Sequence, residues 1–397
     1  MKKQVLFVDD EEMVLQGLQR SMRPMRNDWD MTFVDSGVKA LAFMEKTTVD
    51  VLVSDMRMPG MNGVQLFGQV ATRYPKTVRL ILSGHADQDL ILQCVGSAHQ
   101  FLSKPCDPEA LRLTVRRAME LEGSLKNAQL QQLVARMDHL PSIPSLYSEI
   151  VEKMNDPEAG LDEVGAIIAK DPGMTAKILK LVNSAFFGLR REVSNPADAA
   201  GFLGLDTIKS LVLSLNAFAQ YENLKPEGFS LPALWNHSLS TAAAAKRIAQ
   251  LEKADLKTVD QAFVAGLLHD TGKTVLACNF PDQYGKTIQA AEAQGADLLV
   301  AEQDAFGANH ADVGGYLLGL WGLPASVVDA IALHHHPQQS ADTAFTALTA
   351  VHAANAIVNA GVGTAPVWDA EYLNRLTLGV QAATWHKDYW DILNSNN

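Results

Sequence analysis

The stretch Val49-Asp-Val-Leu-Val-Ser-Asp55-Met-Arg-Met-Pro-Gly60 decides the fold of the first part of this chain. Its apolar run Val51-Leu52-Val53 is typical of a strand that is buried on both faces of a parallel sheet. The run ends at the carboxylate of Asp55, and the pair Pro59-Gly60 then indicates a turn. Because ligands of open α/β sheets bind beyond the carboxyl ends of the strands, Asp55 is a candidate for holding a cation or a phosphoryl group.

Apolar runs and helical patterns alternate on either side of this stretch. The predicted strands are residues 5–8, 31–34, 51–54, 78–82 and 101–102, and the helical patterns are 11–23, 38–45, 64–73, 88–96 and a last one from Pro108. Strands that alternate with helices form parallel sheets covered on both faces. Residues 1–120 are therefore predicted to form an α/β domain with a doubly wound, parallel, five-stranded sheet.

Polar residues follow four of these strands directly. They are Asp9 and Asp10 after the first strand, Asp55 after the third, Ser83 after the fourth and Lys104 after the fifth. Three carboxylates at one sheet edge repel one another unless a cation neutralises them, and an all-oxygen site suits Mg²⁺. A lysine and a hydroxyl can contact phosphoryl oxygens, while one carboxylate acts as the nucleophile.

In these positions the first 120 residues resemble the receiver domain of two-component response regulators. The resemblance implies that Asp55 accepts a phosphoryl group from a sensor histidine kinase. It also implies that Mg²⁺ is held by Asp9, Asp10, Asp55 and the backbone carbonyl of Arg57. Ser83 and Phe101 would form the switch pair, and Lys104 would contact the phosphoryl group.

Residues 121–138 form a helical linker, for which two interpretations stay open. Two sets of residues are spaced by seven: Leu111, Ala118 and Leu125, and Leu121, Ala128 and Ala135. One interpretation is an amphipathic last helix packed on its own sheet, followed by a solvated linker. The other is a two-chain coiled coil, which would make the protein a homodimer. The pair Gly123-Ser124 weakens a continuous helix and favours the first interpretation.

No strand pattern follows, and residues 139–365 are predicted to form an all-α domain. The helical patterns of this domain are 146–154, 161–169, 173–183, 206–219, 234–251, 259–269, 284–294, 298–306, 311–320, 325–334 and 344–360. Its candidate ligands come from several helices: His237, His269, Asp270, His310, His334, His335 and Asn355. Histidines gathered around an aspartate can bind one or two transition-metal ions of the Mn, Fe or Zn class, and a bridging aspartate between two metals supports phosphoester cleavage. The alternative for each histidine alone is a structural hydrogen bond inside a helical core.

The motifs of this region resemble the HD superfamily of metal phosphohydrolases, and residues 140–188 resemble its HDOD branch of bacterial signalling modules. The resemblance rests on Trp235-Asn-His237-Ser, Gly266-Leu-Leu-His269-Asp270-Thr-Gly-Lys273, His310-Ala-Asp-Val-Gly314 and His334-His-His336. It implies that His237, His269 and Asp270 hold one metal. Asp270 would bridge to a second metal held by His310, His334 and His335, and Lys273 would contact a substrate phosphate.

Three positions depart from the branch that cleaves cyclic dinucleotides. Asn355 stands where that branch has its last metal-binding aspartate, His336-Pro337-Gln338 replaces its glycine-tyrosine-proline signature, and Ala233 replaces an extra glutamate. Two functions therefore stay open. One is a response regulator whose HDOD domain relays the signal through protein contacts with an unidentified partner. The other is a phosphorylation-regulated phosphohydrolase that acts on a nucleotide or cyclic dinucleotide.

Composition disfavours several other classes of protein. The chain has 397 residues and a net charge of −12. This charge argues against DNA binding, because DNA-binding proteins carry a basic face. No apolar run has the ~20 residues of a membrane span, and the three scattered cysteines indicate no disulfide framework. We expect a cytoplasmic protein. Residues 366–397, with Trp368, Trp385 and Trp390, are predicted to dock on the helical domain.

Overall fold

The computed structural model describes residues 2–83, 97–104, 106–125, 127–135, 137, 149–150, 153, 160–183, 193–203, 226–360 and 364–395. The chain divides into two compact units. The first comprises Met1–His139, Lys180–Glu192 and Gly319–Gly322, and the second comprises Leu140–Leu179, Val193–Leu318 and Leu323–Asn397. The helices predicted over 88–96 and 206–219 and the HDOD motifs at 140–144 and 184–188 lie outside the described residues.

The first unit contains a five-stranded parallel sheet. Its strands are β1 (Lys3–Val8), β2 (Trp29–Val34), β3 (Val51–Asp55), β4 (Val78–Ser83) and β5 (Gln100–Ser103), in the order β2-β1-β3-β4-β5. Every neighbouring pair is parallel, and all five residues of the central strand β3 are buried. The predicted α/β fold is confirmed, and each strand is one to two residues longer at its ends than the apolar run that predicted it.

Helices and one 3₁₀ turn connect and follow these strands. They are α1 (Glu12–Met22), the 3₁₀ turn Arg23–Asn27, α2 (Gly37–Met44), α3 (Gly63–Arg73), α4 (Pro108–Ser124) and α5 (Ala128–Val134). The chain leaves helical geometry at Leu125, and Leu111, Ala118 and Leu125 are all buried within the single chain. Because that set of residues already packs internally, the structure favours the packed last helix over the coiled coil.

The turn after β3 brings α3 against the end of that strand. Gly60 has a φ of +79°, a left-handed conformation that costs a glycine nothing. Asn62 caps α3 by accepting from the Gln65 backbone, while the Gln65 side chain accepts from the Asn62 backbone. A Cβ at Gly63 would lie only 2.7 Å from the carbonyl oxygen of Asp55. The glycine is needed because the helix begins directly beside the candidate phosphorylation site.

A buried cation ties α5 to the sheet. Arg79, on β4, donates to the carbonyl oxygens of Thr77 and Ala135, and its guanidinium also contacts the His99 ring. Burial and the neighbouring Arg79 hold the pKa of His99 well below its usual value. His99 is therefore neutral, and the Arg79 backbone N–H donates to its Nδ1. The end of the linker helix is thus fastened to β4 within the first unit.

The described residues after 160 form helices and one 3₁₀ turn, which belong to the second unit except for residues 180–182 and 319–320. The helices are α6 (Leu161–Ile168), α7 (Pro172–Val182), α8 (Pro196–Leu203), α9 (Leu231–Leu251), α10 (Leu256–Leu268), α11 (Thr271–Asn279), α12 (Pro281–Gln294), α13 (Leu298–Phe306), α14 (His310–Leu320), α15 (Ala325–Leu333), α16 (Ala347–Ala360), α17 (Ala370–Arg375) and α18 (Gly379–Ser395). The helical pattern predicted neither α8 nor α11. Among the described helices, none combines the length and apolar character that a membrane crossing needs.

Three helices, α9, α10 and α16, pack against one another at the centre of this unit. The C-terminal helix α18 lies against α9 and the loop after it. Asp388 on α18 accepts both hydrogen bonds of the Arg247 guanidinium at 2.8 Å, and buried Trp385 donates its indole N–H to Glu252. The aromatic tail is therefore packed on the helical unit, although the side chain of Trp390 lies outside the described residues.

We expect Gly63→Ala to destabilise the chain and Gly68→Ala to leave it unchanged or stabilise it. The added methyl of Gly63→Ala would overlap the Asp55 and Met56 backbone, at a cost of roughly 1–3 kcal/mol. The methyl of Gly68→Ala, on the same helix, meets nothing within 4 Å and should contribute about 1 kcal/mol of helix propensity. Thermal unfolding followed by circular dichroism checks both variants, and equal unfolding midpoints would contradict the close approach.

Candidate phosphorylation site and candidate metal centre

Two carboxylates and one ammonium group meet at the carboxyl edge of the sheet. The Lys104 Nζ atom lies 2.6 Å from Asp9 Oδ2 and 2.5 Å from Asp55 Oδ1. The other carboxylate oxygens accept backbone hydrogen bonds, from Glu11 to Asp9 and from Arg57 to Asp55, each at 3.0 Å. Three predicted residues are therefore brought together by the ends of β1 and β3 and the residue after β5.

The charges at this edge do not balance within the protein. Burial raises the pKa of Asp55, and the adjacent Asp9 adds to that effect while Lys104 opposes it. Burial lowers the pKa of Lys104, but its bonds to the two carboxylates outweigh that effect and raise the pKa. Two carboxylates share the Lys104 ammonium group, and exposed Asp10, which follows Asp9 in the chain, adds a third carboxylate. An oxygen-rich site with excess negative charge fits Mg²⁺.

The remaining predicted residues of this site lie nearby in the sheet. Ser83 ends β4, its hydroxyl is buried, and that hydroxyl has no hydrogen-bond partner among the described residues. The Lys104 backbone N–H donates to the Ser83 carbonyl oxygen at 2.7 Å. Phe101 pairs with Ile81 in the sheet, but its side chain lies outside the described residues. The Ser83 hydroxyl is thus available to an incoming oxygen.

The second site lies within the helical unit and is built from helix ends. His237 lies on α9, His269 and Asp270 lie between α10 and α11, His310 begins α14, and His334 and His335 follow α15. A Cβ at Gly272 would lie 1.9 Å from the His310 carbonyl oxygen, so only glycine lets α11 approach this closely. The helix that the sequence pattern missed therefore brings His310 to Asp270.

Asp270 is the centre of this site, and its two oxygens face different groups. Oδ2 lies 3.3 Å from His269 Nε2 and 3.7 Å from His237 Nε2. Oδ1 lies 3.2 Å from His310 Nε2 and 3.9 Å from His334 Nε2. We call His237, His269 and Oδ2 the lysine-side group, since Lys273 lies there. We call His310, His334, His335 and Oδ1 the triple-histidine group. In each group the ligand atoms lie within 4.8 Å of one another.

Hydrogen bonds behind the rings orient three of these histidines. His269 Nδ1 lies 2.7 Å from the Gly266 carbonyl oxygen, and His334 Nδ1 lies 2.8 Å from that of Ile331. His310 Nδ1 lies 2.7 Å from the Glu302 carboxylate. Since these partners only accept hydrogen bonds, each Nδ1 donates to its partner and each ring turns its Nε2 toward Asp270. Burial and Lys273 would lower the pKa of His310, but the Glu302 and Asp270 carboxylates outweigh them and raise it. Metal-binding histidines are held in this way.

Glu302 is a residue of the candidate metal centre that the sequence interpretation missed. It is fully buried, and it accepts from the His310 backbone and ring and from the Tyr284 hydroxyl. Burial alone would raise the pKa of Glu302, but His310 outweighs that effect and lowers it, so the carboxylate stays charged. The signal was a glutamate spaced by four from Leu298 and Phe306, where a helix stripe is otherwise apolar.

The pKa values keep most of these ligands ready for a cation. Burial would raise the pKa of Asp270, but His269 and Lys273 hold it well below its usual value. Burial and neighbouring imidazoles lower the pKa of His237 to about 4 and that of His335 to about 2. Neutral imidazoles and an ionised carboxylate are the forms that bind metals.

Two predicted residues have other partners in this structure. The Lys273 ammonium lies 2.7 Å from Asp270 Oδ2, so it forms an ion pair at the centre of the site. The Asn355 Oδ1 atom accepts from Asn359 at 2.8 Å and lies 3.0 Å from His237 Nε2. His352, on the same helix, is saturated by the His334 carbonyl oxygen and the Asp369 backbone N–H.

The chain matches two protein families. Residues 5–116 match the response regulator receiver domain, and residues 140–337 match the HDOD domain. The MmoQ response regulator from Methylococcus capsulatus str. Bath is similar in structure. Its crystal structure superposes with a TM-score of 0.51 at 25% identity and covers 63% of this chain and 98% of that one.

Curated relatives share smaller parts. An uncharacterized protein of Treponema pallidum is 27% identical over 226 residues, which is 57% of this chain and 43% of that protein. The hydrogenase transcriptional regulatory protein HoxA of Cupriavidus necator is 36% identical over 121 residues, which is 30% of this chain and 24% of that protein. The chain thus spans less than half the length of these curated relatives.

We expect Glu302→Gln to weaken metal binding at the histidine cluster by about 10–100-fold, because the neutral amide no longer orients and polarises His310. The matched control is Asp304→Asn, which removes one negative charge from the exposed side of the same helix. Isothermal titration with Zn²⁺ measures both affinities, and thermal unfolding of the metal-free variants checks the fold. Equal affinities for Glu302→Gln and Asp304→Asn would contradict the orienting role of Glu302.

Proposed function

We propose that this chain, which belongs to the response regulators that join a receiver domain to an HDOD domain, is phosphorylated on Asp55 by a sensor histidine kinase. In this proposal it works in the cytoplasm and passes the signal on through contacts of its HDOD domain with another protein. The observation that carries the proposal is the grouping of Asp9, Asp55 and Lys104 at one sheet edge. A receiver domain implies a phosphodonor, and in this proposal the donor and upstream partner is a sensor histidine kinase.

The local geometry supports phosphoryl transfer to Asp55. A carboxylate oxygen of Asp55 forms the new bond to phosphorus as the bond from phosphorus to the donor's leaving group breaks. The Lys104 ammonium then lies within reach of the transferred oxygens, and the unpartnered Ser83 hydroxyl can donate to one of them. Mg²⁺ held beside Asp9 and Asp10 would neutralise the charge that develops during transfer.

Output through protein contacts is supported by the net charge of the whole chain and by Asn355 and Lys273 in the second unit. A net charge of −12 disfavours a nucleic-acid target. Asn355 supplies no charge at the position of a metal-binding aspartate, and Lys273 already neutralises Asp270. These features favour a folded signalling module over a fully equipped binuclear enzyme.

We expect Asp55→Asn to abolish phosphorylation, because the amide that replaces the carboxylate is not a nucleophile toward phosphorus. The matched control is Asp28→Asn, an exposed aspartate of the same unit, which should be labelled like the parent protein. Incubation with acetyl phosphate and Mg²⁺, followed by intact-mass spectrometry, detects the added phosphoryl group. An Asp55→Asn variant that gains the same mass as the parent protein would refute the assignment.

A second candidate function is a metal-dependent phosphohydrolase that acts on a nucleotide or a cyclic dinucleotide. The observation that favours it is the pair of buried atoms Asp270 Oδ1 and His334 Nε2, which have no hydrogen-bond partner among the described residues. Buried polar atoms without partners are costly, and a bound cation would satisfy both. A reaction that uses a single metal ion would not require a charged ligand at the position of Asn355.

The residues of this chain divide the work of such a reaction. Asp270 and the histidines would hold a transition-metal ion, which would supply activation of water and polarisation of a phosphoryl oxygen. Glu302 keeps the His310 ring in place. Lys273 is 22% exposed at its side chain, so its ammonium can also reach a phosphate that enters the site.

We expect Asp270→Asn to reduce phosphodiester hydrolysis by the metal-loaded chain at least ~100-fold, because the variant loses the charged ligand that both groups share. Asp304→Asn should hydrolyse the same substrates like the parent protein. The assay compares bis(p-nitrophenyl) phosphate, nucleotides and cyclic dinucleotides with protein whose metal content has been measured. A parent protein that holds metal and turns over none of these substrates would exclude this candidate.

A further inference from the structure

We propose that the histidine cluster holds a single transition-metal ion, bound in the triple-histidine group, and that Lys273 and Asn355 close the lysine-side group to a second ion. The inference rests on the second candidate function, because it concerns the same metal centre. It specifies which residues of that centre bind the ion. It does not depend on the phosphorylation of Asp55. In the set carried over from the HD superfamily, His237, His269 and Asp270 hold one ion, and Asp270 bridges to a second ion in the triple-histidine group. The proposal keeps only the ion in the triple-histidine group.

The atoms without partners both belong to the triple-histidine group. Asp270 Oδ1 and His334 Nε2 are buried and receive no hydrogen bond from any described residue. Asp270 Oδ2, on the lysine side, instead takes the Lys273 ammonium at 2.7 Å. The one carboxylate of the cluster therefore has one neutralised oxygen and one oxygen that lacks a positive partner.

The spacing of the triple-histidine group suits a small cation. His310 Nε2 lies 3.2 Å from Asp270 Oδ1 and 3.1 Å from His335 Nε2, and His334 Nε2 lies 3.9 Å from the same oxygen. Ligands of a tetrahedral ion at zinc–nitrogen distances lie about 3.3 Å apart. Three imidazoles and one carboxylate suit zinc and neighbouring metals.

A proton alone does not satisfy these atoms. His310 could carry a second proton and donate to Asp270 Oδ1, since Glu302 supports a positive charge on its ring. That proton would still leave His334 Nε2 facing inward, because His334 Nδ1 already donates to the Ile331 carbonyl oxygen. A metal cation that binds all the inward-facing lone pairs would leave no buried polar atom of this group without a partner.

The lysine-side group has the opposite electrostatics. Its carboxylate oxygen is paired with Lys273, so a second dication would share that oxygen with an ammonium group and be repelled by it. His237 Nε2 lies 3.0 Å from Asn355 Oδ1, and that oxygen also accepts from Asn359. The neutral amide supplies no charge to offset the repulsion. This side of the cluster is therefore already satisfied by its own hydrogen bonds.

The test is the amount of metal that the chain and its variants retain. The protein is equilibrated with Zn²⁺, passed over a chelating resin to remove loosely bound ions, and analysed for zinc per chain. We expect about one ion in the parent protein. His335→Gln should lower retention at least roughly five-fold by removing one of four ligands, whereas His237→Gln should retain the parent amount. Both rings are only partly buried, and thermal unfolding without metal verifies that both variants fold.

A gain of binding gives a second test that misfolding cannot imitate. The double variant Lys273→Gln, Asn355→Asp removes the competing ammonium and adds a carboxylate on the lysine side. We expect it to retain about two ions per chain. If it retains only one ion, Lys273 and Asn355 are not what closes the lysine side, and the proposal is overturned.

The other outcomes separate this inference from the proposed functions. Two ions in the parent protein, or loss of zinc in His237→Gln but not in His335→Gln, would overturn the single triple-histidine site and leave the phosphohydrolase candidate in place. No retained zinc in the parent protein would overturn both of them. Neither result would change the expected labelling of Asp55.

Discussion

The sites of both units depend on one constraint, which is that a buried carboxylate must be matched by positive charge. In the first unit Lys104 matches Asp9 and Asp55, and in the second Lys273 matches Asp270. An unmatched buried charge costs several kcal/mol, so the fold cannot simply omit the partner. In the first unit one ammonium group contacts two carboxylates, and in the second it contacts only one of the two Asp270 oxygens. That shortage of positive charge is what makes both places suitable for a metal cation.

The two folds meet this constraint differently. The parallel sheet places its carboxylates at strand ends, where side chains that follow neighbouring strands converge on one edge. The described residues of the helical unit form no such edge, and their ligands come from α9 and from the ends of α10, α11, α14 and α15 around Asp270. Carbonyl oxygens of the preceding helical turn hold the rings of His269 and His334. Both the sheet edge and the helices around Asp270 therefore hold a small set of polar atoms in fixed orientations.

The sequence predicted much of this arrangement and missed specific parts for physical reasons. The five strands followed from apolar runs, because a strand buried on both faces must be apolar. Helix α11 was missed because Gly272, which weakens a helical pattern, is required for close packing on His310. Arg79 and Glu302 were missed since each is a charged residue in an apolar stretch, and only a partner from elsewhere in the chain explains its burial.

By itself the sequence determined the fold class of both units, and it identified Asp55 with its neighbours as a candidate phosphorylation site and the residues around Asp270 as candidate ligands. These depend on local patterns and on motifs of a few residues. The tertiary structure alone decided which oxygen of Asp270 faces which histidine, that Lys273 neutralises one of them, and that Glu302 stands behind His310. Distances between side chains on different helices depend on packing, and no spacing along the chain encodes them.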